Sequence, residues 1–228
     1  MSHLDNLLLV VPDLPSRRIL DVGAGRGEFL IDAVKRRYRA EGIEYNPRYI
    51  EQAEEQARRA GVSIQIRRGV GEALPFQNGS FDFINMAEVI EHVFDPQKVL
   101  GEVARVLSEH GLAYVSVPNR YGIYDPHFHV LFVNWLPRRL SDLFLRLVGG
   151  HKDYSHSDAG HQRLSDMHYM TRSQFEKLCD THSLVFFDSR EQKIKKRFPR
   201  FEAPLSRLYK MYAFLFISTY HGLIRKTP

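Results

Sequence analysis

The segment Ala87-Glu-Val-Ile-Glu-His-Val93 brings three chemically active side chains close together. If the segment is helical, Glu88, Glu91 and His92 lie at i, i+3 and i+4 and share one face. Their oxygen and nitrogen atoms suit Mg²⁺, Mn²⁺, Zn²⁺ or Fe²⁺, and a histidine that titrates near neutrality suits proton transfer. We predict that His92, Glu88 and Glu91 are catalytic. Three interpretations stay open: a divalent-metal site, a metal-free general base at His92, or a structural role.

Further histidines are candidates to complete a metal site. His127 and His129 belong to the turn-forming sequence Asp125-Pro-His-Phe-His129, and His168 precedes a predicted helix start at Thr171. The alternative is that these side chains anchor the polypeptide around them. Three more histidines lie in a polar stretch and are expected to be solvated: His151, His156 and His161.

A glycine-rich turn follows the first apolar strand, in Ile19-Leu-Asp-Val-Gly-Ala-Gly-Arg-Gly-Glu28. Gly23, Gly25 and Gly27 lack a Cβ, so the backbone can take tight conformations and lie directly against a ligand. The third glycine comes one residue earlier than in the dinucleotide G-x-G-x-x-G pattern. The next short strand ends in Glu44, a carboxylate that can accept hydrogen bonds from both hydroxyls of a ribose. Together these features predict a nucleotide-like cofactor.

These features, in this order, resemble the class I S-adenosylmethionine-dependent methyltransferases over residues 15–193. The segments 69–76 and 79–85 are similar to the loop after strand three and to strand four of the small-molecule enzymes. Val70 stands where relatives often carry an aspartate that accepts from the adenine amino group, so adenine is expected to rely on backbone groups of Gly71 and Glu72 and on apolar walls. The resemblance implies that S-adenosylmethionine is bound by Asp21, Gly23, Ala24, Gly25, Gly27, Glu44, Tyr45, Gly71, Glu72, Ala73, Asn85 and Met86.

The Glu-x-x-Glu-His pattern at residues 88–92 adds a second resemblance. It is similar to the pattern of ubiquinone-biosynthesis O-methyltransferases and of small-RNA 2′-O-methyltransferases, in which the motif is linked to a divalent metal. The metal-ligand candidates that follow are Glu88, Glu91, His92, His127, His129 and His168.

Apolar strands and helical patterns alternate along residues 17–117. Strict alternation requires a parallel sheet with helices on both faces. After it, a helix at 171–180, a strand at 184–188 and a final strand within 214–226 complete an α/β fold, a Rossmann-like, seven-stranded, mostly parallel sheet with an insertion after strand five at 118–170. The alternating part is predicted to contain strands 17–22, 40–44, 62–68, 81–86 and 111–117 and helices 26–37, 47–60 and 96–107.

A chain of 228 residues, 43% of them hydrophobic, is expected to form one methyltransferase domain, residues 1–228. The single cysteine, Cys179, excludes an internal disulfide and fits a reducing compartment. The apolar run 7–11 is too short for a signal peptide and no stretch is long enough to span a bilayer, so we expect a cytoplasmic location.

Basic and aromatic residues are interleaved in the C-terminal tail, residues 193–228. With the amphipathic run 136–148, the tail favours peripheral contact with the inner face of a membrane or with a phosphate-bearing acceptor. The alternative for the charges is a solvated connection before the last strand. The net charge of +5 fits an anionic acceptor, a membrane surface or nucleic acid.

The sequence thus predicts an S-adenosylmethionine-dependent methyltransferase that acts on an oxygen of a small hydroxylated, lipid-linked or glycan acceptor. One alternative is RNA 2′-O-methylation, which ranks lower because no aromatic RNA-binding module accompanies the motifs. Another is a non-catalytic partner protein that keeps S-adenosylmethionine binding without the chemistry.

Overall fold

The computed structural model describes residues 2–148 and 163–227. Within these residues, seven strands form one sheet in the order β3-β2-β1-β4-β5-β7-β6. The strands are β1 (Arg18–Val22), β2 (Arg39–Glu44), β3 (Gln65–Arg68), β4 (Phe81–Met86), β5 (Leu107–Pro118), β6 (Leu184–Asp188) and β7 (Thr219–Lys226). The helices are α1 (His3–Leu8), α2 (Glu28–Lys35), α3 (Pro47–Arg59), α4 (Pro96–Val106), α5 (Arg138–Leu147), α6 (Arg172–Asp180), α7 (Ser189–Arg197) and α8 (Glu202–Phe216).

The sheet confirms the predicted fold class. Neighbouring strands from β3 to β5 are parallel, and β7 runs antiparallel to both β5 and β6. Successive residues of β1 point to opposite faces, so that Ile19 packs with α1 and α2, and Leu20 packs with α4 and α6. Both faces of the central strands are buried, as expected for parallel strands connected by helices.

The helices begin where capping residues satisfy their first amide groups. The side chain of Asn46 accepts from the backbone N–H of Arg48 at the start of α3, and that of Asp95 accepts from Gln97 at the start of α4. Pro47 and Pro96 follow these caps, at the position where a missing N–H costs nothing. The βα units therefore place the carboxyl ends of β1, β2 and β4 at one edge of the sheet.

The final strand, β7, lies within the predicted range 214–226 and begins at Thr219. The segment before it, for which a solvated connection is one of two interpretations, forms α7 and α8. Asp188 starts α7 because its Oδ1 accepts from the backbone N–H groups of Arg190 and Glu191. The buried carboxylate of Glu191 then pairs with Arg172 of α6.

The insertion after β5, in its described parts 119–148 and 163–170, has a small core of its own. Asn119 joins this segment to the end of α8, since its amide donates to the carbonyls of Ala213, Phe214 and Ile217. The core of the insertion consists of Val133, Leu145, Leu164, Met167 and Tyr169.

Among the described residues, no helix is long and apolar enough to cross a bilayer. The predictions for His151, His156 and His161 lie outside the described residues.

Candidate active site

A cavity of about 340 Å³ opens at the carboxyl ends of β1, β2 and β3 and beside the segment that follows β4. Ligands bind at this edge in open α/β sheets. The glycine turn after β1, the loop after β3 and residues 88–94 all contribute to its walls. Its walls consist of Val22, Gly23, Gly25, Ile43, Glu44, Tyr45, Asn46, Tyr49, Gly69, Val70, Gly71, Glu72, Glu88, Val89, His92, Val93 and Phe94.

The glycines of the turn are required for different reasons. Gly23, Gly25 and Gly27 all have positive φ, at 69°, 53° and 78°. A Cβ on Gly23 would lie 2.7 Å from Cγ2 of Val89, and one on Gly27 would lie 2.8 Å from Cβ of Ala53. A Cβ on Gly25 would meet nothing closer than the Gly23 carbonyl oxygen at 4.0 Å. Gly23 and Gly27 therefore permit close packing, whereas Gly25 keeps the turn open towards the cavity.

Glu44 connects the turn to the end of β2. Its Oε2 accepts from the backbone N–H of Gly25 at 2.8 Å, and its Oε1 accepts from that of Asn46 at 2.8 Å. The side chain is buried apart from its face in the cavity wall. Two backbone donors thus fix the carboxylate beside the glycine turn, in the place predicted for a ribose-binding acid.

The loop after β3 forms the far wall of the cavity. Val70 and Ala73 pair across a tight turn, and Glu72 Oε1 accepts from the backbone N–H of Phe94 at 2.8 Å. The Phe94 side chain is 88% exposed and stands at the cavity mouth. Backbone of Gly71 and apolar side chains line this part of the cavity. That adenine binds here stays a prediction.

The segment with Glu88, Glu91 and His92 is not a helix, and the prediction of a shared helix face is wrong. Residues 87–94 form turns, and Glu88 has a φ of 56°. The backbone N–H of Glu88 donates to Ser116 Oγ, and the Ser116 hydroxyl donates to Oε1 of the same glutamate. These contacts hold Glu88 against β5 and turn the chain, so that Val89 packs on Gly23.

The turns nevertheless bring Glu91 and His92 to a third residue from the insertion, His127. Ligating atoms of the three side chains lie within 4.8 Å of one another. His127 Nε2 is 3.4 Å from Glu91 Oε1 and 3.8 Å from Glu88 Oε2. His92 Nε2 lies 3.9 Å from Glu91 Oε1. The geometry therefore assembles two histidines and two carboxylates from two distant segments.

Glu91 is the most constrained member of this group. Its side chain is fully buried, and among the described residues neither carboxylate oxygen has a hydrogen-bond partner. A buried carboxylate without hydrogen bonds is costly unless positive charge lies beside it. The groups next to it that can supply or bind positive charge are the imidazoles of His92 and His127. Either a protonated imidazole or a bound cation would balance the charge of Glu91.

Tyr169, which the sequence analysis did not single out, holds His127 in place. Its hydroxyl lies 2.8 Å from His127 Nδ1, and both side chains are buried. Burial and the nearby carboxylate of Asp125 raise the pKa of Tyr169 far above its usual value, so the phenol stays protonated. When the hydroxyl donates to Nδ1, the His127 proton lies on Nε2, facing Glu91. When Nδ1 carries the proton instead, Nε2 is free to ligate a metal.

The sequence comparison with a family of known proteins covers the part of the chain that carries the glycine turn, Glu44 and the segment 87–94. Residues 20–115 match the profile of a family described as "Methyltransferase domain". An uncharacterized methyltransferase of Bacillus subtilis, YcgJ, is 34% identical over 124 residues, 53% of this chain and 47% of that protein. A ubiquinone biosynthesis O-methyltransferase of Methylococcus capsulatus is 33% identical over 108 residues, 47% of this chain and 46% of that protein. The sequence matches thus relate residues 20–115 of this chain to methyltransferases.

The fold of the whole chain is similar to that of a solved structure. The crystal structure of the Bacillus YcgJ protein superimposes with a TM-score of 0.58, covering 99% of this chain and 100% of that chain at 19% sequence identity. At this identity the likeness concerns the fold alone. The local sequence matches cover about half the length of the curated relatives.

Two observations support a fit between the cavity and S-adenosylmethionine. Gly25 leaves open space against the backbone, and Glu44 presents a fixed carboxylate beside it. Six predicted cofactor residues do not line the cavity, and their contact with the cofactor stays a prediction. They are Asp21, Ala24, Gly27, Ala73, Asn85 and Met86.

Asp21 and Asn85 instead form a buried pair at the ends of β1 and β4. Asn85 Nδ2 donates to Asp21 Oδ1 at 2.7 Å, and Asn85 Oδ1 lies 2.9 Å from His3 Nε2. Burial is the main cause that raises the pKa of Asp21 to about 7, and the charge of Glu44 adds to it. The pair therefore supports the glycine turn from within the sheet.

The remaining metal candidates lie apart from the Glu91, His92 and His127 group. His129 Nδ1 lies 2.6 Å from the hydroxyl oxygen of Tyr124. His129 is exposed and has a φ of 58°. The backbone N–H of His168 donates to the carbonyl of Glu91. His168 thus contacts the cluster through its main chain, and the histidine that the structure brings to the two acids is His127.

Proposed function

We propose that this protein transfers the methyl group of S-adenosylmethionine to an oxygen atom of a small hydroxylated acceptor. One observation carries the proposal: Gly25 and Glu44 line one part of a cavity whose other walls include Glu88 and His92. A cofactor held by the first pair would present its reactive end towards groups that can accept a proton. The cofactor would then bind in the same cavity in which the methyl group is transferred.

S-adenosylmethionine supplies an electrophilic methyl group on a positively charged sulfur when it is bound. The acceptor oxygen forms a bond to the methyl carbon, the carbon–sulfur bond breaks with its electron pair on sulfur, and the acceptor proton passes to the imidazole of His92. Methyl transfer depends mainly on alignment of the oxygen, carbon and sulfur. The residues of this chain therefore act by orienting the two substrates and by receiving the proton.

Two versions of acceptor activation are compatible with the cluster. In the first, His92 is a metal-free base and the carboxylate of Glu91 stabilises the imidazolium that forms. In the second, Glu91, His92 and His127 would hold a divalent cation, which would lower the pKa of the acceptor hydroxyl. Metal analysis of the purified protein and activity after treatment with a chelator distinguish them. Full activity without metal supports the first version, and loss restored by one metal supports the second.

The acceptor class is proposed from the relatives and from the site. One relative is named as a ubiquinone biosynthesis O-methyltransferase, which favours a phenolic acceptor carried on a lipid over a glycan. The aromatic ring of Phe94 at the cavity mouth suits a flat apolar substrate. The screen of acceptors therefore begins with catechols and quinols and includes soluble glycans for comparison.

Calorimetric titration with S-adenosylhomocysteine tests cofactor binding. Glu44→Gln is expected to weaken binding at least ten-fold, because a carboxylate with two backbone donors becomes an amide that cannot accept at both positions. Glu41→Gln is the matched control, since Glu41 lies on the same strand and pairs with Arg67 at the surface. Absence of binding by the wild-type protein would refute the proposed function.

Activity of His92→Ala tests the catalytic part. Loss of a general base lowers the rate by roughly 10²–10⁴-fold. His110→Ala is the control, because His110 is an exposed histidine near the start of β5. Unchanged turnover by His92→Ala, with S-adenosylhomocysteine binding intact, would show that the cluster is not catalytic.

A further inference from the structure

Two helices outside the cavity present apolar side chains to the surface. In α5, Leu140, Leu143 and Leu147 are each more than half exposed and follow one another at i, i+3 and i+7. The opposite side of α5 is buried through Ser141 and Leu145. The exposed stripe is therefore additional to the face that packs on the insertion core.

Helix α8 repeats this arrangement. Its buried side carries Ser206, Tyr209 and Ala213. Its outer side carries large apolar residues that are each more than half exposed, namely Leu208, Met211, Tyr212 and Phe216. Single exposed apolar side chains are ordinary, but two helices with such stripes mark an interaction surface.

Aromatic contacts connect the two helices through the insertion. The ring of Phe214 at the end of α8 packs on Tyr121 with centroids 5.2 Å apart. Trp135, close before α5, donates its indole N–H to the carbonyl oxygen of Tyr121 at 2.8 Å and packs against Phe132. Tyr121, Phe132, Trp135 and Phe214 are all partly exposed. We name the exposed residues of α5 and α8 with these four aromatic residues the α5–α8 surface.

The charge beside this surface is strongly positive. Residues 189–210 contain eight basic and two acidic residues, a net charge of +6, which exceeds the net charge of +5 of the entire chain. The rest of the chain is therefore close to neutral, and the positive charge is concentrated in α7 and the first half of α8. Interleaved apolar and basic residues are the composition of segments that lie in the interface of an anionic bilayer.

A depression at α8 combines both properties. It has a volume of about 690 Å³ and is lined by apolar Met211 and Phe214 together with the cationic side chains of Arg207 and Lys210. Ser206 lines it as well. Its hydroxyl is buried and has no hydrogen-bond partner among the described residues. Two cations beside apolar carbon match a lipid phosphate and its acyl chains.

We propose that the α5–α8 surface docks on a bilayer that contains anionic lipids. A second copy of this chain fits the surface poorly, because symmetric contact would oppose the same basic segments. A bilayer satisfies both the apolar stripes and the positive charge. The proposal goes beyond the proposed function, since it concerns where the protein binds and not which bond it makes.

The position of the surface connects docking with the acceptor. The insertion that carries α5 also supplies His127 and Tyr169 to the active-site cluster. A protein docked through the insertion would hold its cavity close to the lipid headgroups. A lipid-linked acceptor would then reach the cluster without leaving the membrane.

Vesicle flotation of the full chain tests the proposal. We expect binding to vesicles of phosphatidylcholine mixed with phosphatidylglycerol, weaker binding to phosphatidylcholine alone, and a decrease at high salt, because screening shortens the reach of the basic residues. Each basic residue near an anionic surface contributes about a five-fold increase in binding. Arg207→Glu with Lys210→Glu is therefore expected to reduce binding more than twenty-fold, because the loss of the two cations alone removes two factors of about five.

Charge reversal on α3 gives a matched control, Arg58→Glu with Arg59→Glu, because these adjacent arginines are exposed and pair with Glu55. For the apolar part, Leu143→Glu and Met211→Glu are expected to reduce flotation, and Leu9→Glu, at an exposed leucine that follows α1, is expected to leave it unchanged. S-adenosylhomocysteine binding by each variant reports that the fold is intact, so a failure of docking is distinguishable from a failure of cofactor binding.

Four results would overturn the proposal. The first is absence of flotation with anionic vesicles. The second is an equal loss in the surface variants and in their controls. The third is formation of a dimer, measured by analytical ultracentrifugation, that Met211→Glu dissociates, since the surface would then be an interface between copies. Retention of RNA at low salt without any vesicle binding also contradicts it, because the positive charge would serve nucleic acid.

Discussion

The cofactor region, residues 18–73, and the insertion, residues 119–148 and 163–170, contribute to one site by different kinds of contact. In the cofactor region the decisive contact joins Gly25 and Glu44, which are 19 residues apart on adjacent βα units. In the insertion it joins His127 and Tyr169, which are 42 residues apart. The first contact follows directly from a βαβ connection, whereas the second requires the whole insertion to fold back on itself.

This difference predicts that the two regions respond separately to mutation. Changes in the cofactor region should alter cofactor affinity together with stability, because the glycine turn is part of the central sheet. Changes in the insertion should alter methyl transfer while cofactor affinity is preserved, because the small core of Val133, Leu145, Leu164, Met167 and Tyr169 is separate from the main one.

The largest expected effect concerns Asp21, at the base of the cofactor region. Its folded pKa is raised to about 7 from 3.8, so the folded state holds a proton that the unfolded state has already released. Between about pH 4 and pH 7 this carboxyl therefore makes the free energy of unfolding fall as pH rises, by up to roughly 4 kcal/mol. Above pH 7 the contribution of Asp21 to the free energy of unfolding is constant. Asp21→Asn removes the pH dependence that this carboxyl causes, and the amide oxygen of the introduced asparagine can still accept from Asn85.

Chemical denaturation of both proteins across this pH range measures the effect. The variant is expected to match the wild type near pH 4 and to be more stable than it at pH 8, while binding S-adenosylhomocysteine more weakly. A constant difference between the two curves would mean that Asp21 does not titrate in this range. Other acidic groups titrate in both proteins and cancel in the comparison.

The second effect comes from Gly23, where a side chain would meet Val89. Gly23→Val combines overpacking with a positive φ and is expected to cost about 2–4 kcal/mol of stability. Gly25→Ala has only the backbone cost of about 1 kcal/mol, because its Cβ would enter open space. Thermal denaturation should rank the two variants in that order, and titration should show weaker cofactor binding by Gly25→Ala. Equal stability of the variants would contradict the packing role assigned to Gly23.

The glycine turn could be predicted from sequence because it follows a strand with a clear apolar pattern, and Glu44 because it ends the short strand that comes next. The geometry of Glu88, Glu91 and His92 could not. Their spacing fits a helix, but the packing of Val89 on Gly23 and the bonds between Glu88 and Ser116 override it. Tertiary contacts of this kind cannot be predicted from the local spacing of residue types.

Helix α7 and the contact between Tyr169 and His127 were both missed from the sequence, but for different reasons. Helix α7 had a visible start signal, because Asp188 and Glu191 stand at the cap and third positions of its first turn. The helix was not predicted because α7 contains too few apolar residues to give a helical hydrophobic pattern. Tyr169 carried no signal of its own, since nothing in the segment 166–171 specifies a contact with position 127.

The third effect is smaller and concerns the insertion. Tyr169→Phe removes the hydroxyl next to His127 Nδ1 and is expected to cost about 1 kcal/mol of stability. Methyl transfer should fall roughly ten-fold or more through loss of alignment. Tyr124→Phe is the control, since Tyr124 makes the same kind of contact with His129 at the surface. Weaker binding of S-adenosylhomocysteine by Tyr169→Phe would contradict the separation of the two regions.

The smallest effect on the folded protein is expected at the α5–α8 surface. Leu143 and Met211 are more than half exposed, and exposed substitutions usually change stability by less than about 0.5 kcal/mol. Leu143→Glu and Met211→Glu should therefore unfold like the wild type and methylate a water-soluble acceptor at the same rate. With an acceptor embedded in anionic vesicles the same variants should be slow, since the substrate is reached only from the membrane. Equal losses on both acceptors would place these side chains in the chemistry of the site and not in docking.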